Sequence, residues 1–350
     1  MKISIDVEDG YEGRFHYLRD IAGLLGDAGV EIAFNDPIHD ALIIQGSILT
    51  ERERASGKVT DTPLLIYERT ASGAINAKSH VRRLIQRPNV RAWLKETSFR
   101  DPDLYNEPVI THRRHVSVMA RSIDDPSVQD EVTPLIAIGP EEAAKIVAAP
   151  PVHLQGRYER FKSLPRRQFK TRKVDICCAG TVEYGTGLLS IHRYRASQEI
   201  LKLQSRATII GTGRVFPGSD FPLIMQSSKI FVSPYGYGEY SFKDFEAIFA
   251  GCVLIKPPIS HVRTGLFDIY DGQKHHLETD VWFSDLEEVA QQVFDNEREF
   301  DDRAEQSRRS LLASIRPEAV ATDFLAWLDR VLDRNPSNSS TDAQPEVSHD

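Results

Sequence analysis

Residues 230–256 read IFVSPYGYGEYSFKDFEAIFAGCVLIK, and this stretch decides the class of fold. Its apolar runs IFV and VLI are rich in β-branched and aromatic residues, which is typical of buried parallel strands. Between them Ser241 and Asp244 have the spacing of a capping box, and Gly251 is a typical helix stop, so the pattern predicts a helix at about 242–250. Strand, glycine-rich turn, helix and strand together indicate a parallel α/β sheet.

The polar face of this predicted helix carries a cation in an unfavourable place. Lys243 lies in the first turn, where it opposes the helix dipole by about 0.3–1 kcal/mol, and Glu246 lies three residues further on. A phosphate at the helix N-terminus, with ribose hydroxyls bonded to the carboxylate, would account for both charges. The alternative is that Lys243 is solvated or pairs locally with Asp244.

The run G-E-Y-S-F-K-D-F-E-A-I-F-A-G-C-V-L-I-K-P at 238–257 resembles the donor-site segment of GT-B glycosyltransferases. It is most similar to bacterial proteins described as glycosyltransferase family one, and it is related in pattern to the exostosin-type enzymes. The resemblance is specific over about 229–262 and extends to the rest of the C-terminal half, about 173–333. Before about residue 173 the resemblance concerns the architecture only.

The resemblance implies donor-binding roles for individual residues. Glu246 would hold the donor ribose, and Lys243, three residues before it, would meet the pyrophosphate. The commonest retaining enzymes of this fold carry two glutamates eight positions apart, whereas here Glu239 precedes Glu246 by seven and Gly238 takes the expected place. Glu239 is therefore a stand-in among the donor-binding candidates, which also include Ser241, and the motif leaves retaining and inverting mechanisms open.

The residues after the second apolar run extend the resemblance. Lys256, Ser260 and His261 fit a K-P-x-x-S-H pattern that is typical of the same group. The resemblance implies that all three are cleft residues, with Lys256 and Ser260 binding the donor and His261 taking a catalytic role. From the residues alone, a single histidine in a loop is more often simply exposed.

Length and composition limit the class of protein, its partners and its location. A chain of 350 residues with 41% hydrophobic and 27% charged residues suits two globular domains. A net charge of −8 argues against a nucleic-acid partner, because such surfaces are usually basic. No signal peptide or apolar run long enough for a membrane span is seen, and Cys177, Cys178 and Cys252 lie in apolar strands. Buried thiols and a cytoplasmic location are expected.

One segment departs from the acidic average. Residues 157–173, RYERFKSLPRRQFKTRK, contain eight Lys or Arg and one Glu. The first interpretation is a solvated linker between domains. The second is peripheral contact with the inner face of a membrane, through anionic lipid head groups, or attraction to a phosphorylated acceptor.

Apolar strands and helical segments alternate on both sides of this basic segment. The pattern predicts two Rossmann-like, doubly wound domains that face each other across a cleft, the GT-B class of α/β fold. The predicted organisation is an N-terminal acceptor domain at 1–150, a basic linker at 151–172, a nucleotide-sugar donor domain at 173–316, a C-terminal helix at 317–334 and a disordered tail at 335–350. Predicted first-domain strands include Leu64–Glu68, Val90–Lys95 and Leu135–Ile138.

Ligands of such sheets bind beyond the carboxyl ends of the strands. Small residues that let backbone amides approach a ligand follow two strands of the second half, and Arg193 lies near the start of a helix there. These donor-binding candidates are Gly180, Thr181, Gly211, Thr212, Gly213 and Arg193. The competing interpretation is that the glycine turns only reverse the chain and that the cations face solvent.

A catalytic base, if the reaction uses one, is expected from the first domain. The acidic loop after the first strand offers Asp9 and Glu8, although the same loop could simply cap the next helix. His112 and His115 form a second candidate pair, for which a solvated loop is the favoured interpretation. Asp101-Pro102-Asp103 has the spacing of a metal-binding D-x-D, but no apolar strand leads into it, so it is predicted to be a turn. No metal site is predicted.

The leading hypothesis is a metal-independent glycosyltransferase that uses a nucleotide-sugar as co-substrate and no other cofactor. Its acceptor would be a glycan, a lipid-linked intermediate or a small molecule. A sugar-nucleotide epimerase or hydrolase of the same fold is the first alternative, and a non-catalytic sugar-nucleotide-binding or scaffold protein is the second. A dehydrogenase is disfavoured because G-T-G-R-V-F lacks the third glycine of the dinucleotide fingerprint.

Overall fold

A computed structural model describes residues 1–7, 15–68, 73–75, 82–107, 109–110, 113–123, 132–133, 136–148, 159–183, 187–265 and 267–333. The strands of these ranges are β1 (Lys2–Asp6), β2 (Glu31–Phe34), β3 (Ala41–Gln45), β4 (Leu64–Tyr67), β5 (Val90–Lys95), β6 (Thr97–Phe99), β7 (Val109–Ile110), β8 (Val132–Thr133), β9 (Ile146–Ala148), β10 (Val174–Cys177), β11 (Ile209–Ile210), β12 (Ser228–Val232), β13 (Val253–Lys256), β14 (Val262–Thr264) and β15 (His276–Glu278).

The helices of the same ranges are α1 (Tyr17–Asp20), α2 (Ala22–Asp27), α3 (Gly46–Ser56), α4 (Arg114–Ser122), α5 (Pro140–Ala144), α6 (Glu159–Lys162), α7 (Gly187–Lys202), α8 (Phe221–Gln226), α9 (Phe242–Phe249), α10 (Leu286–Asp295), α11 (Glu297–Ser314) and α12 (Pro317–Val331). Short 3-10 turns lie at Arg83–Gln86, Pro102–Asn106, Phe169–Thr171, Leu203–Ser205 and Asp271–Gln273.

Two parallel sheets form the two halves of the molecule. The first has the strand order β2-β1-β3-β4-β5-β9 and the second the order β11-β10-β12-β13-β15. Central strands such as β3 and β4 are buried along their whole length, because helices cover both faces of each sheet. The predicted pair of Rossmann-like, doubly wound α/β domains is confirmed.

One strand of the first sheet was assigned wrongly from the sequence. The described part of Leu135–Ile138 is not a strand, because the backbone of Ile138 is bonded to a side chain instead of a neighbouring strand. Its amide donates to Asn106 Oδ1 at 2.9 Å, and its carbonyl accepts from Asn106 Nδ2 at 2.9 Å. The edge strand of this sheet is β9, which pairs with β5.

Contacts at the base of the cleft join the two domains. Strand β6 of the first half pairs antiparallel with β14 of the second half. Next to it, the Arg100 guanidinium donates to the carbonyl of Ser260 at 2.8 Å and pairs with Asp268 at 2.6 Å. The C-terminal helix α12 packs against α11 and also against α2 of the first domain. The relative position of the two sheets is therefore fixed by backbone pairing, ion pairs and an apolar helix contact.

The described part of the basic segment packs on the second domain. Arg166 pairs with Asp301 at 3.3 Å and Glu305 at 3.1 Å, and buried Arg172 donates to the carbonyl of Ala250 at 3.2 Å. Arg166 and Arg172 are therefore bound within the chain, whereas the first interpretation expected solvated cations. Among the described helices, none combines the length and apolar character needed to cross a bilayer. The tail at 335–350 lies outside the described residues.

Candidate active-site cleft

A cleft of about 270 Å³ opens beyond the carboxyl ends of the strands of the second sheet. Its wall is formed by the loop after β12, by the start of α9 and by one residue of the first domain, which lies directly after β5. The described residues that line it are Glu96, Ala179, Arg193, Phe231, Val232, Ser233, Pro234, Gly236, Tyr237, Gly238, Tyr240, Ser241, Phe242 and Lys243.

Helix α9 begins as the sequence predicts. The Ser241 hydroxyl accepts a hydrogen bond from the amide of Lys243 at 3.3 Å, and the Asp244 carboxylate accepts one from the amide of Ser241 at 3.0 Å. This capping box satisfies two amides that the helix leaves unpaired. Phe245 and Phe249 on the opposite face are buried. The cap holds the first turn of α9, and with it Lys243, at the wall of the cleft.

Two cations meet beside Gly180, directly after β10. The Lys243 ammonium donates to the carbonyl of Ala179 at 2.7 Å, while the buried Arg193 guanidinium donates to the carbonyl of Tyr235 at 3.0 Å. Gly180 has φ +147°, and a Cβ there would lie 2.5 Å from Arg193 Nη2 and 2.9 Å from Lys243 Nζ. Both cations therefore converge on one point beside Gly180, where like charges repel each other. The group that reverses this repulsion is an anion.

Lys256 lies behind the cleft wall and not in it. Its ammonium and the Asp244 carboxylate are both 0% exposed and form an ion pair of 3.0 Å. The same carboxylate accepts from the hydroxyls of Ser233 and Tyr270 at 2.5 Å each. Burial lowers the pKa of Lys256, and the charge of Asp244 opposes this shift. Lys256 was expected in the cleft but is not among the residues that line it, and the hydrogen bond of the Lys243 ammonium goes to the carbonyl of Ala179.

Glu239 also turns away from the cleft, although its neighbours in the chain line it. Its carboxylate accepts from the amide of Gly73 at 3.2 Å and lies 3.4 Å from the Nδ1 atom of His115. Burial disfavours the carboxylate, but the His115 charge and, more weakly, that of His261 outweigh burial and hold the pKa of Glu239 well below its usual range. His115 itself is buried on α4, so the prediction of a solvated loop is wrong for this residue.

His261 and Ser260 follow β13 at the junction of the two domains. The His261 ring lies against Phe99 of the first domain, with centroids 5.9 Å apart, and its Nε2 atom has no hydrogen-bond partner among the described residues. Burial lowers the pKa of His261 to about 4, and the nearby Glu239 carboxylate opposes the shift. The Ser260 hydroxyl donates to Glu278 at 2.8 Å. Neither residue is among those lining the cleft.

The glycine turns of the second sheet are bonded to each other. The amide of Gly180 donates to the carbonyl of Arg214 at 2.8 Å, and a β-bridge joins Ala179 to Thr212. Gly211 and Gly213 have φ +90° and +75°, which side chains with a Cβ rarely adopt. Of these turns, Gly180 lies beside the two cations, and neither the turn at 211–213 nor exposed Thr181 is among the residues lining the cleft.

The remaining candidates are farther from the cleft or undescribed. Glu246 is buried on α9 and is not among the lining residues. Glu8, Asp9 and His112 lie outside the described residues.

The D-x-D sequence is a turn, as predicted. The Asp101 carboxylate accepts from the amide of Asp103 at 3.0 Å and so caps the 3-10 turn that follows. Over the described ranges, no group of three or more His, Cys, Asp or Glu side chains is arranged to hold a metal ion.

The sequence analysis missed three charged residues at the ends of first-domain strands. Glu96 comes directly after β5 and lines the cleft. Behind it, buried Lys95 pairs with Glu68 at 3.5 Å, and Glu68 also accepts from Trp93 Nε1 at 2.6 Å. The signal was present, because charged residues at the ends of apolar strands are candidates in any parallel sheet.

His192 is a buried histidine in the wall behind Arg193. Its ring stacks on that of Tyr235 with centroids 5.1 Å apart, and its Nε2 atom accepts from the Tyr235 amide at 3.1 Å. Burial, and then the positive charges of His115 and Arg193, lower the pKa of His192 to about 3.

This shift predicts a pH dependence of stability. An unfolded histidine binds a proton below pH about 6.5, whereas folded His192 stays neutral down to about 3, so acid stabilises the unfolded chain. The free energy of unfolding is therefore undiminished by His192 above pH 6.5, and it falls by about 1.4 kcal/mol for each pH unit below 6.5. We expect His192→Gln to lose less stability than the wild type between pH 7.5 and 5.0 in urea unfolding. Equal losses would contradict the buried, neutral state of His192.

Comparisons with known proteins give likenesses of structure only. No family model matches the chain, and no curated protein matches it. The solved structures that resemble it include a glycosyltransferase from Rickettsia africae, with a TM-score of 0.49, 10% identity and coverage of 95% of this chain and 99% of that chain. An alpha-glucosyltransferase in complex with UDP gives a TM-score of 0.47, 10% identity and coverage of 95% and 100%. Sucrose-phosphate synthase from Thermosynechococcus elongatus gives a TM-score of 0.47 at 11% identity, with coverage of 96% of this chain and 100% of that chain.

Proposed function

We propose that this chain is a glycosyltransferase that transfers a sugar from a nucleotide-sugar donor. The observation that carries the proposal is the meeting of Arg193 and Lys243 beside Gly180, at the start of α9 and in the wall of a cleft between two Rossmann-like domains. The donor's pyrophosphate is an anion of the size and charge that would join these two cations.

The two cations would act on the leaving group. When the bond between the anomeric carbon and the phosphate breaks, negative charge develops on the nucleoside diphosphate. Fixed positive charges stabilise such a leaving group without reorganising during the reaction. Lys243 and Arg193 would supply this stabilisation, and we propose that no divalent metal is needed. Gly180 permits both side chains to approach because any Cβ at this position would displace them.

The acceptor would enter from the first-domain side of the cleft. Glu96 comes from that side, and the aromatic rings of Tyr237, Tyr240 and Phe242 lie on the other. Aromatic faces with nearby polar groups suit a sugar or another hydroxyl-bearing acceptor. We propose a glycan, a lipid-linked intermediate or a small molecule as acceptor.

A thermal-shift screen against UDP-, GDP-, dTDP-, CMP- and ADP-sugars tests the proposal, with magnesium in one series and EDTA in the other. A ligand at 100 times its dissociation constant stabilises the native state by about 2.7 kcal/mol. We expect one nucleotide family to raise the melting temperature equally in both series. An unchanged melting temperature with every donor would contradict donor binding, and a shift that needs magnesium would contradict metal independence.

A further inference from the structure

Of the described residues that line the cleft, Glu96 alone carries a carboxylate. It lies at the carboxyl end of β5, a central strand of the first sheet, and is partly exposed. The two cations of the same cleft, Arg193 and Lys243, come from the second domain. An acidic side chain therefore faces the same space as the cations but belongs to the opposite domain.

Two buried carboxylates near the cleft, those of Glu239 and Glu68, bind other groups of the protein. Glu239 is bonded to Gly73 and paired with His115, and Glu68 is bonded to Trp93 and paired with Lys95. Neither carboxylate lines the cleft. Glu96 differs from both because it reaches the cleft itself.

The Lys95–Glu68 ion pair also determines the direction in which the side chain of Glu96 points. Lys95 is the last residue of β5 and is fully buried, with its ammonium 3.5 Å from the Glu68 carboxylate of the adjacent strand end. Successive side chains of a strand point to opposite faces. Anchoring Lys95 below the sheet edge therefore turns the next residue toward the cleft.

On the premise of the proposed glycosyl transfer, we propose that Glu96 is the general base that removes the proton from the nucleophile. The acceptor hydroxyl oxygen attacks the anomeric carbon, and its proton passes to the Glu96 carboxylate. The bond from the anomeric carbon to the phosphate oxygen breaks, and its electron pair leaves with the nucleoside diphosphate between Arg193 and Lys243. A single displacement of this kind inverts the configuration of the anomeric carbon.

The test uses the nucleotide-sugar that binds in the thermal-shift screen, with water or sodium azide as nucleophile. Released nucleoside diphosphate measures turnover, and calorimetry measures donor affinity in each variant. We expect Glu96→Gln to bind the donor within about twofold of the wild type and to hydrolyse it about 10²–10⁴-fold more slowly, the usual contribution of a general base. Glu51→Gln, on the exposed face of α3, is the matched control and should keep both properties.

Azide separates a base from a residue that only positions the acceptor. Azide has no proton to lose, so Glu96→Ala with azide should regain turnover and yield a glycosyl azide of inverted configuration, as read from the anomeric proton signal in NMR. Wild-type hydrolysis rates in Glu96→Gln, no glycosyl azide from Glu96→Ala, or a product of retained configuration would each overturn the proposal. A wild-type chain that binds none of the donors would instead contradict the proposed function itself.

Discussion

Lys256→Met is expected to lower the free energy of unfolding by about 3–5 kcal/mol, the cost of leaving a buried charge without its partner. The substitution leaves the Asp244 carboxylate, which is 0% exposed, without the ammonium that lies 3.0 Å from it. The remaining hydroxyl donors, Ser233 and Tyr270, do not neutralise the charge. Urea unfolding at neutral pH measures the loss.

Lys274→Met is the control for this prediction. Lys274 forms an exposed ion pair with Asp271, so its replacement should change stability by no more than about 1 kcal/mol. The double variant Lys256→Met, Asp244→Asn should recover part of the loss, because the amide no longer carries the unpaired charge. Equal effects of the two methionine substitutions would show that the Lys256–Asp244 pair does not hold the start of α9.

His115→Leu is expected to destabilise the protein by about 1–3 kcal/mol, the cost of leaving buried polar groups without a hydrogen-bond partner. His115 lies on α4 of the first half, and its Nδ1 atom is 3.4 Å from the buried Glu239 carboxylate of the second half. Its Nε2 atom donates to the carbonyl of Gly236 at 3.2 Å. Leucine fills a comparable volume but supplies neither contact, so the effect reports polar pairing across the cleft. Urea unfolding at pH 7 measures it.

Two further variants complete the test of this contact. Arg121→Ala, on the exposed side of the same helix, should stay within about 0.5 kcal/mol of the wild type, as surface substitutions usually do. His115→Leu combined with Glu239→Gln should be more stable than His115→Leu alone, since the carboxylate is gone. If adding Glu239→Gln makes the protein less stable still, the charge of Glu239 is not what His115 compensates.

Local sequence signals predicted helix α9 and its N-terminal cap well. Ser241, Asp244 and Gly251 gave the limits of α9 because capping and termination depend on residues within one turn of each other. The first-turn position of Lys243 indicated an anion for the same reason. The order of apolar strands gave two parallel sheets, since buried strands of this class are short and continuously apolar.

The pattern of apolar and polar residues did not predict contacts between residues that are far apart in the chain. Lys256 was expected in the cleft from the resemblance alone, whereas it is buried and paired with Asp244 of the preceding helix. Strands β6 and β14 have only three residues each, too few for a visible periodicity, and they pair across nearly half the chain. Glu96 was missed because a base was sought only in the acidic loop after β1 and in the pair His112 and His115, although Glu96 also follows an apolar strand.

The most direct test of phosphate binding beside Gly180 is the calorimetric dissociation constant of the selected nucleoside diphosphate for Lys243→Ala, measured in EDTA. A charged hydrogen bond contributes about 1.5–3 kcal/mol, so the affinity should fall about 10- to 150-fold. Lys202→Ala removes an exposed charge from α7, the helix that carries Arg193, and should bind like the wild type. An unchanged dissociation constant in Lys243→Ala would contradict donor binding between these two cations.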